Sequence, residues 1–341
     1  MKDYSISVVM ATYNGAAYIR EQLDSILAQT LTFSELIISD DGSTDGTIEI
    51  IQQYCLKDNR IKLVFNKGRH DIKSNFVNGF KYAAYELIAP TDQDDIWYPN
   101  KLETLVGHFN DNVDVVNAQD MILYEDNTEE PDIWYLPDIS ETIYRNKLKG
   151  HTCMFKRKLI DLYQFSGDCS WDYVLAFYCC VTNRYKTISD ILMTWRRHRE
   201  AVTYGSFHKK NTNDKTQTTI LDKPLKKWDV VRYVNNALLN GNTHPTLTKY
   251  YKSRYDIIYQ LLNNVNVKDL YIIRCFMNVL LYASRQGIWS MFLSGIWSMI
   301  GHSKLNIEKK VGFRVKIANL LWAFREPYYQ WYQNRNEKFL G

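Results

Sequence analysis

The sequence predicts an α/β fold followed by a mostly helical C-terminal extension. Three observations carry that expectation. Short apolar runs rich in branched residues alternate with helical patterns over the first hundred residues. Each run ends in a polar, turn-forming cluster. Beyond residue 224 the chain reads almost wholly helical, with many Tyr and Asn. Strands alternating with helices of this length form βαβ units and a parallel sheet.

Residues 6–11 (ISVVMA) read as the first strand, 35–39 (ELIIS) as the second, 61–65 (IKLVF) as the third and 86–90 as a fourth. Tyr18, Ile19, Leu23, Ile26 and Leu27 recur at helical spacing, as do Ile48, Ile51 and Tyr54. The strands end in Thr12-Tyr13-Asn14-Gly15, Asp40-Asp41-Gly42-Ser43 and Asn66-Lys67-Gly68. Open α/β sheets bind ligands outside the carboxyl ends of their strands, so these polar side chains stand where a site belongs. Residues 122–140 are acidic and read as an irregular surface loop. Residues 156–165 and 173–180 read as helices. Residues 205–223 are polar and poor in apolar side chains, which predicts a linker.

With 341 residues, 45% apolar and 23% charged, the chain can bury a core; disorder, collagen and a disulfide mini-protein are excluded. Six cysteines show no CxxC and no paired zinc spacing, and read as reduced cytosolic thiols. MKDYSISVVM lacks the pattern of a signal peptide, and no stretch of about 20 uncharged apolar residues predicts a spanning helix. Residues 1–204 carry a net charge of −9 and residues 205–341 one of +13. Either the two parts meet different partners, or Lys and Arg merely solubilise a helical tail.

Four constellations could carry chemistry. Asp92-Gln93-Asp94-Asp95 puts three carboxylates in four positions. They repel one another unless a hard divalent cation joins them or they spread over a surface turn. Asp40-Asp41-Gly42-Ser43-Thr44-Asp45-Gly46-Thr47 follows the second strand. Ser43 or Asp45 can cap the next helix, and the glycines permit a tight turn. That leaves the second strand-end acid unexplained, and a carboxylate there can accept the N3–H of a pyrimidine. Trp171-Asp172 opens a helix. An acid beside aromatic rings is partly desolvated and more basic, as a general base requires, but a plain N-cap fits equally. Trp195-Arg196-Arg197-His198-Arg199 is a cationic run that would offset a leaving diphosphate, or a basic surface.

Their order and spacing resemble family-2 inverting glycosyltransferases of the GT-A type. SVVMATYNG, SDDGSTDGT, the NKG…SNF stretch and TDQDDIWYPNKL resemble that family's Rossmann-like nucleotide-sugar half. Gly150-His151-Thr152-Cys153-Met154-Phe155 resembles its acceptor-side strand, Trp171-Asp172-Tyr173 its catalytic-Asp motif, and Arg196 with His198 its late RxH element. The resemblance covers roughly residues 5–203. The Asp-Gln-Asp-Asp-Ile-Trp wording most resembles bacterial rhamnosyltransferases of surface-polysaccharide (O-antigen, capsule) assembly. Two departures touch the acceptor side. Trp171-Asp172-Tyr173 stands where His-Asp-Trp is frequent, and Arg199-Glu200-Ala201 where an Asn is frequent.

The resemblance implies a GT-A catalytic domain over 1–204, with a nucleotide-sugar half to about residue 105 and an acceptor half beyond it. A linker at 205–223 and a basic helical region at 224–341 would follow. It implies that Thr12, Tyr13 and Asn14 line the base and ribose pocket, that Asp41 accepts from the pyrimidine N3–H, and that Asn75 helps hold the nucleotide. Asp92 and Asp94 would form the metal–diphosphate corner, with Asp94 the direct ligand of Mg²⁺ or Mn²⁺. Asp172 would take the acceptor hydroxyl's proton. Arg196 and His198 would stabilise the leaving diphosphate, His198 through the metal. The implied donor is TDP-rhamnose, with a UDP-hexose as the alternative; the implied acceptor is a glycan or a polyprenyl-diphosphate-linked glycan. A catalytically degenerate sugar-nucleotide-binding module is the other reading. Specific nucleic-acid binding is not expected, because the basic tail carries no recognition motif.

Residues 270–300 contain only two charges, Arg274 and Arg285. Trp289, Phe292, Leu293, Ile296, Trp297 and Ile300 share one helical face, and residues 288–300 span about 20 Å, too short to cross a bilayer. An interfacial helix pair on an anionic membrane surface is expected, at the cytoplasmic face of the inner membrane; a core helical hairpin is the alternative.

Overall fold

A computed structural model of the chain describes residues 4–133, 148–161 and 170–198, the helix at 245–264, Thr142, and isolated positions between 273 and 300. The expected linker at 205–223, and the apolar stretch at 288–300 apart from a few positions, lie outside the described residues. The chain divides into two compact units: Met1–Leu136, Lys147–Leu175 and Arg184–Asp214 form the first, and the remainder the second. Every residue named for the site below belongs to the first.

The first unit is built on a nine-stranded sheet. β1 (Ile6–Thr12) lies between β2 (Glu35–Asp40) and β4 (Leu87–Asp92), and β3 (Ile61–Phe65) pairs outside β2. These four strands are parallel. Every residue of β1 and β2 is buried, so the apolar residues at their centres run together rather than alternate. α1 (Ile19–Leu27) buries Ile19, Gln22, Leu23 and Ile26, the one-face spacing of an amphipathic helix. α2 (Thr47–Lys57) follows β2. α3 (Ile72–Tyr82) starts at Asp71, whose side chain accepts from Ser74 N. A β-carbon on its Gly79 would stand 2.7 Å from Val9 Cγ1, so α3 lies close on β1.

Beyond β4 the sheet departs from the wholly parallel expectation. β8 (Cys153–Lys156) pairs antiparallel with β4, followed by β6 (Val115–Leu123), β9 (Tyr185–Arg196) and β5 (Ile96–Trp97). The expected loop at 122–140 also needs correction. Residues to Leu123 finish β6, and β7 (Glu129–Asp132) pairs antiparallel with it. The β7 sequence EEPD shows no apolar alternation because the strand sits off the sheet's main path and its first three residues are exposed. Such an edge tolerates acids and a proline. Of the helix expected at 156–165, residues 156–157 instead end β8 and its turn, Lys158–Asp161 form α5, and 162–165 lie outside the described residues; α4 (Lys101–Val106) comes earlier in the chain. The helix expected at 173–180 is α6 (Trp171–Thr182).

Two buried acids tie the strands together. Glu35 accepts from Ser7 Oγ (2.8 Å), Lys62 Nζ (2.8 Å) and Ala84 N (2.7 Å), joining β1, β2, β3 and the approach to β4. Asp114, just before β6, meets Arg184, Lys156 and Lys158 at 2.6 to 3.0 Å. In the second unit, α7 (Pro245–Asn264) buries Ile257, Ile258 and Leu261, in line with the helical extension expected there.

Candidate active site

Pairing register brings the expected residues to one end of the sheet. Thr12 pairs with Asp40 across β1 and β2, and Ala11 with Asp92 across β1 and β4. The two successive acids at the end of β2 do different things. Asp40 is fully buried and accepts from Gly42 N (2.9 Å), Ser43 N (2.9 Å) and Ser43 Oγ (2.5 Å), so it builds the loop. Asp41 Oδ1 accepts from Asn66 Nδ2 (2.8 Å) and faces His70 Nδ1 (3.0 Å). Its second oxygen takes no hydrogen bond among the described residues.

The loop after β1 is stitched to its neighbours. Asn14, at φ 48°, gives its backbone N–H to Ser43 Oγ and accepts from Thr44 N at Oδ1, both at 2.9 Å. Asp45 accepts from Ala16 N (3.0 Å), Thr47 N (3.1 Å) and Thr47 Oγ1 (2.5 Å). Burial pushes the Asp45 carboxyl up, but the Thr47 and Ala16 hydrogen bonds outweigh it and hold the group below the usual range. Thr12 Oγ1 donates to Gln93 Oε1 (2.6 Å), which also accepts from Tyr13 N (2.9 Å), while Gln93 Nε2 donates to Tyr13 O (2.9 Å). Sequence reasoning missed Gln93; the one signal was a neutral amide amid three acids. Gly15 is required beside it, because a β-carbon there would lie 2.2 Å from Gln93 Oε1. Asn75 Nδ2 donates to Thr12 O (3.1 Å), and its buried Oδ1 has no partner among the described residues. The Tyr13 ring is exposed.

The acidic quartet splits into two groups. Asp94 Oδ2 lies 2.8 Å from His198 Nε2. The His198 ring packs on Tyr18 with centroids 4.3 Å apart, and its Nδ1 is buried without a partner among the described residues. Arg196 Nε donates to Asp94 O (3.3 Å) and its guanidinium pairs with Glu21 (2.5 Å). The RxH pair therefore gathers at Asp94, about a hundred residues earlier in the chain.

Asp92 and Asp95 belong to a second group around His151. Atoms of Asp92, Asp95 and His151 lie within 4.8 Å of one another, a spacing that admits a cation. Burial disfavours a charged imidazole, but the carboxylates of Asp95, Asp120 and Asp92 outweigh it and push His151 up to about 10. Both Asp95 oxygens are buried without a hydrogen bond among the described residues, and burial raises that carboxyl well above the usual range. Asp120 is pushed up by burial and pulled further down by His151 and Lys149, ending below the usual range. Lys101, fully buried, donates to His151 O (2.6 Å) over the Trp97 ring (4.1 Å), and burial lowers it to about 7.

Asp172 enters from a separate element, in the first turn of α6. Trp171 before it packs against Phe80 (centroids 5.1 Å), Phe76 (5.3 Å) and Phe155 (6.1 Å). The ring also fills the space above Gly150, where a β-carbon would lie 2.5 Å from it. Asp172 Oδ1 accepts from Tyr173 N (2.8 Å), and its charge adds to burial in pushing the Cys153 thiol up.

Residues 7–167 match the family model described as Glycosyl transferase family 2. This segment is a family-2 glycosyltransferase domain. It holds the expected residues from Thr12 to Asp94 together with His151, while Asp172, Arg196 and His198 follow its end. The chain is 38% identical over 103 residues to the UDP-Glc:alpha-D-GlcNAc-diphosphoundecaprenol beta-1,3-glucosyltransferase WfgD of Escherichia coli, covering 30% of this chain and 40% of that protein. The chain spans less than half the length of the curated relatives it first matches. The fold is similar to that of Staphylococcus aureus TarS 1–349, solved in complex with UDP-GlcNAc: TM-score 0.52, 18% identity, 95% of this chain and 81% of that one. It is also similar to the mannosyltransferase PcManGT from Pyrobaculum calidifontis, solved with GDP-Man and Mn²⁺: TM-score 0.50, 17% identity, 97% and 83%. These likenesses show the expected α/β fold of the GT-A type.

Proposed function

We propose that the chain transfers a sugar, with inversion, from a pyrimidine nucleotide-sugar to a hydroxyl of a glycan or polyprenyl-diphosphate-linked glycan in surface-polysaccharide assembly. The carrying observation is the meeting of Asp94, His198 and Arg196 at the strand end that also presents Asp41. The names of two relatives support the reading: WfgD is described as a UDP-Glc:alpha-D-GlcNAc-diphosphoundecaprenol glucosyltransferase, and TuaG of Bacillus subtilis as a putative teichuronic acid biosynthesis glycosyltransferase.

Asp41 holds one oxygen in the Asn66–His70 network and offers the other to the N3–H of the base. Gln93 and Asn75 fix the Thr12–Tyr13 backbone beside it, and Asn14 locks the neighbouring loop. Asp92 would stand with Asp94 at the metal–diphosphate corner. Asp94 and His198 fit a divalent cation: they offer one hard oxygen and one nitrogen, and the remaining ring nitrogen of His198 has no competing partner among the described residues. Bound there, Mg²⁺ or Mn²⁺ would neutralise the diphosphate and the charge growing on it as it leaves. Arg196 adds a fixed cation at the same corner. Asp172 accepts the proton of the acceptor hydroxyl as that oxygen attacks the anomeric carbon opposite the diphosphate. One displacement with one base forms no covalent intermediate, so the configuration inverts.

TDP-rhamnose as donor rests on the DQDDIW wording and RxH alone. A UDP-hexose is the second reading, favoured by the donors printed for WfgD and TarS. No helix of the described residues is long and apolar enough to cross a membrane. The +13 charge of residues 205–341 supports peripheral attachment to an anionic surface, so full-length protein would co-sediment with anionic vesicles and stay free of neutral ones.

The base assignment has its own test. Asp172→Asn should lower kcat by about 10²–10⁴-fold while nucleotide binding stays near wild type. Undiminished turnover in that variant would remove Asp172 from the mechanism.

A further inference from the structure

His151 is a buried imidazole in the acidic corner to which the mechanism assigns no task. Its Nδ1 lies 3.2 Å from Asp92 Oδ2, and its Nε2 lies 3.3 Å from Asp120 Oδ2. Asp95 Oδ2 stands 3.9 Å from Nδ1. A carboxylate only accepts, so both ring nitrogens donate. The three acids come from three places: Asp92 ends β4, Asp95 precedes β5, and Asp120 lies within β6. The ring's own backbone is pinned on both sides. Lys101 Nζ holds His151 O, and Trp171 leaves Gly150 no room for a side chain. Asp120 is pinned as well, by Lys149 Nζ at 2.7 and 2.8 Å; Lys149 also pairs with Asp132 of β7.

Asp92 is the loose end of this network. Its side chain is a third exposed, and among the described residues its only side-chain hydrogen bond comes from His151. We infer that His151 is a positioning residue, which clamps one oxygen of Asp92 and leaves the other to the metal–diphosphate corner of the donor site. This rests on the reading of Asp92 given above. The ring takes its own fixed position from β6 through Asp120, so the acceptor half of the sheet sets the angle of a donor-side carboxylate. Without the clamp, Asp92 would swing away from its neighbours Asp94 and Asp95, which repel it.

The experiment is a double-mutant cycle on nucleotide binding, with UDP and TDP as probes in the presence of Mn²⁺, read by calorimetry beside the melting temperature. Asp92→Asn and His151→Gln should each weaken binding of the probe that wild type takes by about tenfold. The double variant should bind no more weakly than Asp92→Asn alone, because both changes act through one contact. Steady-state assays should place the loss of His151→Gln in the donor KM rather than in kcat or the acceptor KM. Because removing the cation strands a buried acid, the same cycle is also run in the Asp95→Asn background, where folding is not at risk from that charge. If His151→Gln lowers only the melting temperature, or its binding loss adds fully to that of Asp92→Asn, His151 is structural and the inference fails while the role of Asp92 stands. If Asp92→Asn binds as wild type does, or wild type binds neither probe, the reading of Asp92 fails and the inference with it.

Discussion

At the end of β2, Asp40 takes three hydrogen bonds from its own loop, and Asp41 keeps one oxygen outside the network. Asp40→Ala leaves two backbone N–H groups and a hydroxyl without their acceptor, at a cost of about 3 kcal/mol. Asp41→Ala removes a partner only from Asn66, which keeps Arg69 O, and from His70, which is largely exposed. It should therefore cost little stability. Nucleotide binding should fall by about tenfold or more, the worth of one hydrogen bond to a charged group. Thermal melts and calorimetry on the two variants should give opposite rankings; equal effects on both readouts would mean that the acids share one task. The sequence placed two acids there but could not separate them, because the difference lies in which side-chain oxygens the loop consumes. Gln93 was illegible for a related reason: its three bonds reach across some eighty residues to Thr12 and Tyr13.

The elements were legible where burial left a periodic record. β1, β2 and β3 lie within a residue of their expected bounds, and the fourth strand is displaced by a residue or two, because their apolar runs are flanked by turn residues. β7 left no such record, since an exposed edge strand needs no apolar residues. β9 was read only as a basic run at its end, although Leu192 and Met193 are buried and Arg196 sits at the corner. One polar contact among the elements predicts a pH dependence. Burial pushes the Glu35 carboxyl up, but its bonds from Lys62, Ala84 and Ser7 outweigh this and hold it below its ordinary value of 4.5. A carboxyl depressed in the folded state stabilises above its unfolded value and loses that contribution as pH falls through its folded one. Glu35→Gln should thus be less stable than wild type near neutrality, by about 1–3 kcal/mol. The gap should close as pH falls from about 5 to about 3. A gap that stays constant with pH would show that the carboxylate charge is not what ties these strands.

For the whole molecule, the ordering of four motifs over two hundred residues carried a resemblance to family-2 glycosyltransferases before any distance was known, and residues 7–167 match that family's model. Distances then supplied what order alone lacks: His198 and Arg196 meet Asp94, whereas Asp92 belongs to His151. The central claim is that this corner holds a nucleotide diphosphate sugar through a cation at Asp94 and His198. Calorimetric titration of TDP-rhamnose, UDP-glucose, UDP-galactose, UDP-GlcNAc and GDP-mannose, with Mn²⁺ and with chelator, tests it on wild type and Asp94→Ala. The account predicts that a TDP- or UDP-sugar binds wild type with Mn²⁺, and that chelation or Asp94→Ala abolishes the binding. Equal binding without metal and in Asp94→Ala, or no binding of any of the five, would contradict it.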